Sequence, residues 1–97
     1  MFWPQKTNPL RYSESARNQI RDLHPELKAI IRKRLKALAK NPYLGKHLEK
    51  ELAEYFSLRA RRFRIIYMVK ESAKTVEIHH VGHRKDIYEL FKGQFTK

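Results

Sequence analysis

The sequence predicts an α/β domain of the α+β kind, two helices followed by a small sheet, and three observations carry that prediction. Apolar residues recur at helical spacing as far as Asn41-Pro42, and from Leu52 onward they alternate with a period of two. One stretch, Arg62 to Lys70, is apolar on both faces in the manner of a central strand. The chain has 97 residues, enough for one compact domain and too few for two, so all elements over residues 1–97 are expected to share one core.

Met1 to Asn8 shows no period and is interrupted by Pro4, with Pro9 following, which predicts a poorly specified N-terminal arm over residues 1–8. Leu10-Arg11-Tyr12 then forms a short strand. Ser13 can cap a helix, and Ala16, Ile20 and Leu23 repeat at helical spacing, so a first helix is expected from Ser13 to Leu23. Pro25 suits the first turn of a second helix, where its missing N–H costs nothing. The apolar side of this helix is Leu27, Ile30, Ile31, Leu35, Leu38 and Ala39, and its other side carries Lys28, Arg32, Lys33, Lys36 and Lys40. It stops near Lys40, because the residue before Pro42 disfavours the helical region. The pair reads as a helical hairpin.

In the second half, Phe56 and Leu58 alternate against Tyr55, Ser57 and Arg59, Arg62 to Lys70 is the central strand, and Thr75 to His83 is a further strand after the polar turn Glu71 to Lys74. Asp86 to about Phe95 is expected to be a short terminal helix, with Leu90 and Phe91 as its apolar contacts. A hairpin turning at Ala60-Arg61 sets Arg59 opposite Arg62 and Ser57 opposite Arg64. Phe56, Leu58, Phe63, Ile65 and Tyr67 then line an apolar face for the helices, and the opposite, basic face is left for a ligand.

Charge narrows the function. The 22 Lys and Arg against 10 Asp and Glu give a formal +12, which points to a polyanion such as RNA, DNA or the ribosome, or to an acidic protein partner. These cations are spread through the folded pattern rather than confined to one amphipathic helix, so a membrane surface is the weaker reading. The absence of cysteine excludes disulfides and thiolate zinc sites and is compatible with a reducing compartment. The longest purely apolar run, Ile65 to Val69, is far short of the roughly 20 residues that span a bilayer. Met1-Phe2-Trp3-Pro4 lacks the apolar region of a secretory signal, and a cytoplasmic location is expected.

The stretch Leu48 to Arg59, LEKELAEYFSLR, followed by Arg62-Phe63-Arg64-Ile65-Ile66-Tyr67, resembles the middle of RelE/ParE toxins. Val81-Gly82-His83-Arg84-Lys85-Asp86-Ile87-Tyr88 resembles their C-terminal signature in its RelE form, and Asn41-Pro42 and Gly45 fall where expected after a helical hairpin. The resemblance covers nearly all the chain beyond the first eight residues. It implies two N-terminal helices packed on a curved, mainly antiparallel sheet whose open face holds the site. A cognate antitoxin is implied as well. In the RelE branch the implied activity is metal-independent cleavage of mRNA in the ribosomal decoding site, and ParE-type members inhibit DNA gyrase.

Cutting RNA without a metal or other cofactor requires the 2′-hydroxyl to attack the adjacent phosphate, so the site needs cations for developing charge and groups that move protons. Arg64 and Arg84 match family positions linked to phosphate stabilisation, a task that suits the planar guanidinium fork. Tyr88 matches a C-terminal tyrosine that stacks on a base or assists proton transfer. Relatives of the enterobacterial type keep lysines on the strand where this chain has Tyr55, Ser57 and Arg59, one of them the base. Arginine is a poor base, so His83 is the expected substitute; regular pairing across the Glu71 to Lys74 turn puts it opposite Arg62, on the face of Arg64. Arg59, Arg61 and Arg62 of the hairpin, with Lys33, Lys36 and Lys85, are the candidate nucleic-acid contacts. His79 and His80, adjacent on a strand, are expected on opposite faces, and no metal site is expected.

Two functions follow from these residues. One is a ribosome-dependent endoribonuclease, favoured by Gly82-His83-Arg84, Tyr88 and the charge. The other is a non-catalytic inhibitor of DNA gyrase or another target, favoured by the missing strand lysines, with a decayed antitoxin-binding module giving the same pattern.

Overall fold

The computed structural model describes residues 7–83. In chain order the elements are β1 (Leu10–Tyr12), α1 (Glu14–Arg21), α2 (Pro25–Lys40), β2 (Lys46–His47), a single 3₁₀ turn (Lys50–Leu52), β3 (Tyr55–Ala60), β4 (Phe63–Lys70) and β5 (Thr75–His83). The five strands lie in the order β1-β5-β4-β3-β2, antiparallel throughout except for the parallel pairing of β1 with β5. This is the expected mixture of a helical hairpin and a mainly antiparallel sheet.

Local chemistry accounts for the helix ends. Ser13 caps α1, its hydroxyl accepting the Ala16 N–H at 3.0 Å. The helix ends at Arg21, two residues short of the expected Leu23, because the Asp22 N–H makes the last bond of the helix to Asn18 and Leu23 turns to pack on the core. α2 starts at Pro25 and stops at Lys40, where Asn41 takes an extended conformation ahead of Pro42. Its buried residues, Ile31, Leu35 and Leu38, pack with Ala16 of α1 against Phe56, Leu58, Ile65, Tyr67, Val76, Ile78 and Val81. Phe63, expected in this core, is only half-buried at its margin.

Two expectations change. Period two begins at Tyr55 and not at Leu52, because Lys50 to Leu52 form the 3₁₀ turn, entered through Lys50 at φ 57°. The arm is anchored at its end: Asn8 is buried, and both its backbone N–H and its side-chain amide donate to the Ala39 carbonyl, at 2.7 and 2.8 Å. The expected terminal helix, Asp86 to Phe95, lies outside the described residues. Among the described residues no helix is long and apolar enough to cross a membrane.

The feature that positions the site is a bulge in β5. Pairing with β4 is regular from Lys70 opposite Thr75 to Tyr67 opposite Ile78, then resumes at Ile66 opposite His80, leaving His79 as the extra residue. α1 supplies hydrogen bonds on either side of it. The Ser13 hydroxyl donates to the His79 carbonyl at 2.7 Å, and the Gln19 side-chain oxygen Oε1 accepts the Val81 N–H at 2.7 Å.

Candidate functional site

The β3–β4 hairpin closes through two residues, Arg61 and Arg62, since Ala60 pairs with Phe63. The turn therefore sits one residue later than Ala60-Arg61. Ala60 stays in the strand because its small side chain is buried in the core, and Arg61 closes the loop with φ 58°. Arg59 consequently faces Arg64 and not Arg62, and Ser57 faces Ile66 and not Arg64. The change of register preserves parity, so each residue keeps its expected face.

Two guanidinium groups directly opposite repel one another, and here they diverge. Arg59 Nε donates to the Arg61 carbonyl at 3.3 Å, while Arg64 leans along the sheet with Nη1 3.5 Å from the Ser57 hydroxyl. Arg64 Nε is buried with no hydrogen-bond partner among the described residues.

The bulge changes the histidines. Beyond it His83 pairs with Phe63 and Gly82 with Arg64. Directly opposite residues share a face, so His83 lies on the side of Phe63 and the helices, its ring edge-on to the Phe63 ring at 5.8 Å. The placement of His83 beside Arg64 is thus corrected. His79 and His80, expected on opposite faces, both lie on the Arg64 side. His80 is buried opposite Ile66, and His79 meets the Tyr55 ring edge-on at 5.3 Å, with Nε2 3.3 Å from Glu77 Oε1.

This face is less open and less basic than expected. Leu52, Leu48 and Tyr55 pack with Ile66 in a second apolar cluster, and Ser57 and His80 are buried. Two clefts flank it. One margin is a cleft of about 320 Å³ beside β1 and β5, lined by Arg11, Tyr12, Ser13, Glu77, Ile78 and His79. Arg11 pairs directly with Glu77 there. Sequence reading missed this group, and the signal that could have found it was Glu77-x-His79, two residues apart on one strand.

The other margin is the hairpin tip, where Leu27, Arg59, Arg61, Arg62, Phe63 and His83 line a cleft of about 710 Å³. Arg61 also lines a neighbouring groove of about 330 Å³ with Ile30, Lys33, Arg34 and Ala37 of α2. Thus the structure brings Arg59, Arg61, Arg62 and Lys33 to one end of the molecule. Lys36 is exposed on α2 and lines neither cleft. Arg84, Lys85 and Tyr88 lie outside the described residues. Burial raises the Tyr55 phenol above its usual pKa, helped by the charges of Glu54 and Glu77, so it stays protonated at neutral pH. No cluster of three metal-ligating side chains occurs among the described residues.

Residues 10–88 match the family model described as the ParE toxin of type II toxin-antitoxin system, parDE. The chain belongs to the RelE/ParE family of type II toxins. The toxin is 36% identical over 81 residues to Toxin RelG of Mycobacterium tuberculosis strain ATCC 25618 / H37Rv, a match covering 81% of this chain and 93% of that one. It is also similar to the RelBE2 toxin-antitoxin complex of the same species, at 31% identity and TM-score 0.74, covering 80% of this chain and 99% of that chain. The isolated RelE toxin of E. coli shares the fold at 18% identity and TM-score 0.70, covering 92% of this chain and 99% of that one.

Proposed function

We propose that this toxin is a metal-independent, ribosome-dependent mRNA endoribonuclease, held inactive in the cytoplasm by a cognate antitoxin. The observation that carries the reading is that one face of the sheet presents a cation, Arg64, on β4 and an imidazole held by a carboxylate, His79 with Glu77, on the adjacent strand β5. Arg64, with Arg84 from the C-terminal signature, would stabilise the charge that develops on the phosphate. With Nε2–H donated to Glu77, His79 has Nδ1 available to take the 2′-hydroxyl proton, the task first assigned to His83. Charged and titratable groups around His79 are Glu77 and His80 on β5, Arg11 on β1, and Tyr55 with Glu54 on the β3 side. Tyr88 would stack on a base near the cut. Arg59, Arg61, Arg62, Lys33, Lys36 and Lys85 would carry the RNA backbone.

The antitoxin reading is supported by relatives whose structures are toxin-antitoxin complexes, RelBE2 of M. tuberculosis among them. A second reading, inhibition of DNA gyrase without catalysis, is favoured by one observation: Ser57 and His80, on the sheet face that carries Arg64, are buried. Induced expression with and without the antitoxin, with mRNA 5′ ends and plasmid supercoiling followed together, separates the two. New mRNA ends preceding any change in supercoiling support cleavage, and the reverse order supports the gyrase reading.

A further inference from the structure

We infer that the cleft at the β3–β4 hairpin tip is a nucleotide subsite for single-stranded RNA, binding one base against Phe63 and His83 and its flanking phosphates through Arg59, Arg61 and Arg62. This rests on the RNA reading above and concerns a site on the other side of the sheet end from His79.

Three features point to a nucleotide rather than to a simple anion or an apolar group. The walls are of two kinds. Phe63 and His83 meet edge-on, with 65° between their planes, and Leu27 is a further apolar lining residue. That corner offers an aromatic face on which a base can stack, and stacking is tolerant of base identity because every base has a π-face. The rest of the lining is three arginines, with no carboxylate among the described lining residues. A cleft of about 710 Å³ lies within the usual range for small-ligand sites, roughly 300 to 1,000 Å³.

The arginines are also held in place. Arg59 is tied by its Nε to the Arg61 carbonyl at 3.3 Å. Arg61 occupies a left-handed backbone position, φ 58°, where glycine or asparagine would sit without strain. A cation at a position that favours glycine is a reason to look for what it binds. Arg61 is shared between this cleft and the α2 groove with Lys33 and Arg34, so phosphates on one side of the bound nucleotide have a continuous cationic track to follow.

The test is binding of the free toxin to a labelled six-nucleotide oligouridylate and to an abasic oligomer of the same length, by fluorescence anisotropy over a salt series. The wild type is expected to prefer the base-bearing oligomer. Phe63→Leu keeps the apolar volume but loses the ring, and should weaken that oligomer by roughly 5- to 150-fold, the range for one stacked base, leaving the abasic one unchanged. Arg61→Gln should weaken both and flatten the log–log salt slope by about 0.7, the value for one phosphate contact on a single strand. Equal binding of the two oligomers by the wild type, or equal loss of both in Phe63→Leu, overturns the subsite and leaves ribosomal cleavage standing. A base preference that depends on Phe63 in a toxin that cuts no mRNA on ribosomes keeps the subsite and sinks the cleavage reading. A polyglutamate peptide that binds wild type but loses affinity in Phe63→Leu assigns the cleft to an acidic protein segment and overturns the nucleotide.

Discussion

The Tyr67 hydroxyl, at the centre of the core, accepts the N–H of Gly45 at 2.9 Å. A Cβ at position 45 would lie 2.7 Å from the Ser57 carbonyl oxygen and 2.8 Å from the Tyr67 hydroxyl, so only glycine brings this loop onto β3. Gly45→Ala is expected to cost about 1 to 3 kcal/mol in denaturant unfolding, the scale of overpacking. Burial pushes the Tyr67 phenol up to about 12, offset slightly by the Gly45 hydrogen bond. The folded state thus holds the proton that the unfolded chain releases near 10, so this stabilisation is whole below pH 10 and lost as pH rises through 12. Tyr67→Phe should shrink the loss of stability between pH 10 and 12. Tyr43, also raised to about 12 by burial and by Glu71, keeps its share in that variant. An unchanged alkaline limb would refute the assignment.

Ile65 is fully buried between the helices and the sheet. Ile65→Ala should cost roughly 2 to 5 kcal/mol, a large part of the stability of a small domain. A midpoint within error of wild type in urea would mean that the core lies elsewhere.

Gln19 accepts the Val81 N–H two residues past His79, where β1 has already ended. Gln19→Ala leaves the N–H of buried Val81 without this acceptor and is expected to cost about 1 to 3 kcal/mol. Hydrogen exchange at the Val81 amide should accelerate more than at Ile65, since the opening is local. Uniform acceleration across the sheet would show that Gln19 acts only on global stability.

The bulge also marks where sequence reading stopped. Alternation located β4 and β5 to within a residue and assigned Phe56, Leu58, Ile65 and Tyr67 to the core, because burial on a two-residue period is written into the side chains themselves. Nothing local distinguishes a regular strand through Ile78-His79-His80-Val81 from a bulged one. The bulge depends on Ser13 and Gln19, more than sixty residues away, and that single inserted residue moved His83 off the Arg64 face and brought His79 and His80 onto it. The hairpin was displaced for a similar reason: that Ala60 belongs in the core depends on contacts with distant elements. The cations of the tip were legible as charge, but their joining with Leu27 required the packing of α2 against the sheet.

A +12 toxin neutralised by an antitoxin implies an acidic partner segment that covers basic and apolar surface near the sheet. Association should then be faster at low salt, because steering is screened over about 8 to 10 Å near physiological ionic strength. Stopped-flow association at 50 and 300 mM salt reads this directly. A rate constant indifferent to salt would assign binding to apolar contact alone.

Catalysis gives the last prediction. Arg64→Ala should slow single-turnover cleavage on programmed ribosomes by about 10² to 10³-fold, the scale of a lost electrostatic stabiliser, and Arg84→Ala by a similar factor. His79→Gln removes the group oriented by Glu77 and should cost about 10² to 10⁴-fold, the scale of lost general base catalysis. Glu77→Gln should cost less, because it leaves the imidazole present but frees its ring to turn. The distinguishing measurement is the rate between pH 5.5 and 8.5, with ribosome binding followed separately. A base must be neutral to accept the 2′-hydroxyl proton, so the wild-type rate should rise with pH to a plateau, and His79→Gln should lose that inflection. His83→Gln should retain it, since the bulge turns His83 toward Phe63 and the helices. If the inflection survives in His79→Gln and disappears in His83→Gln, the proton passes through the tip of the sheet, and the register of β5 no longer explains the choice of base.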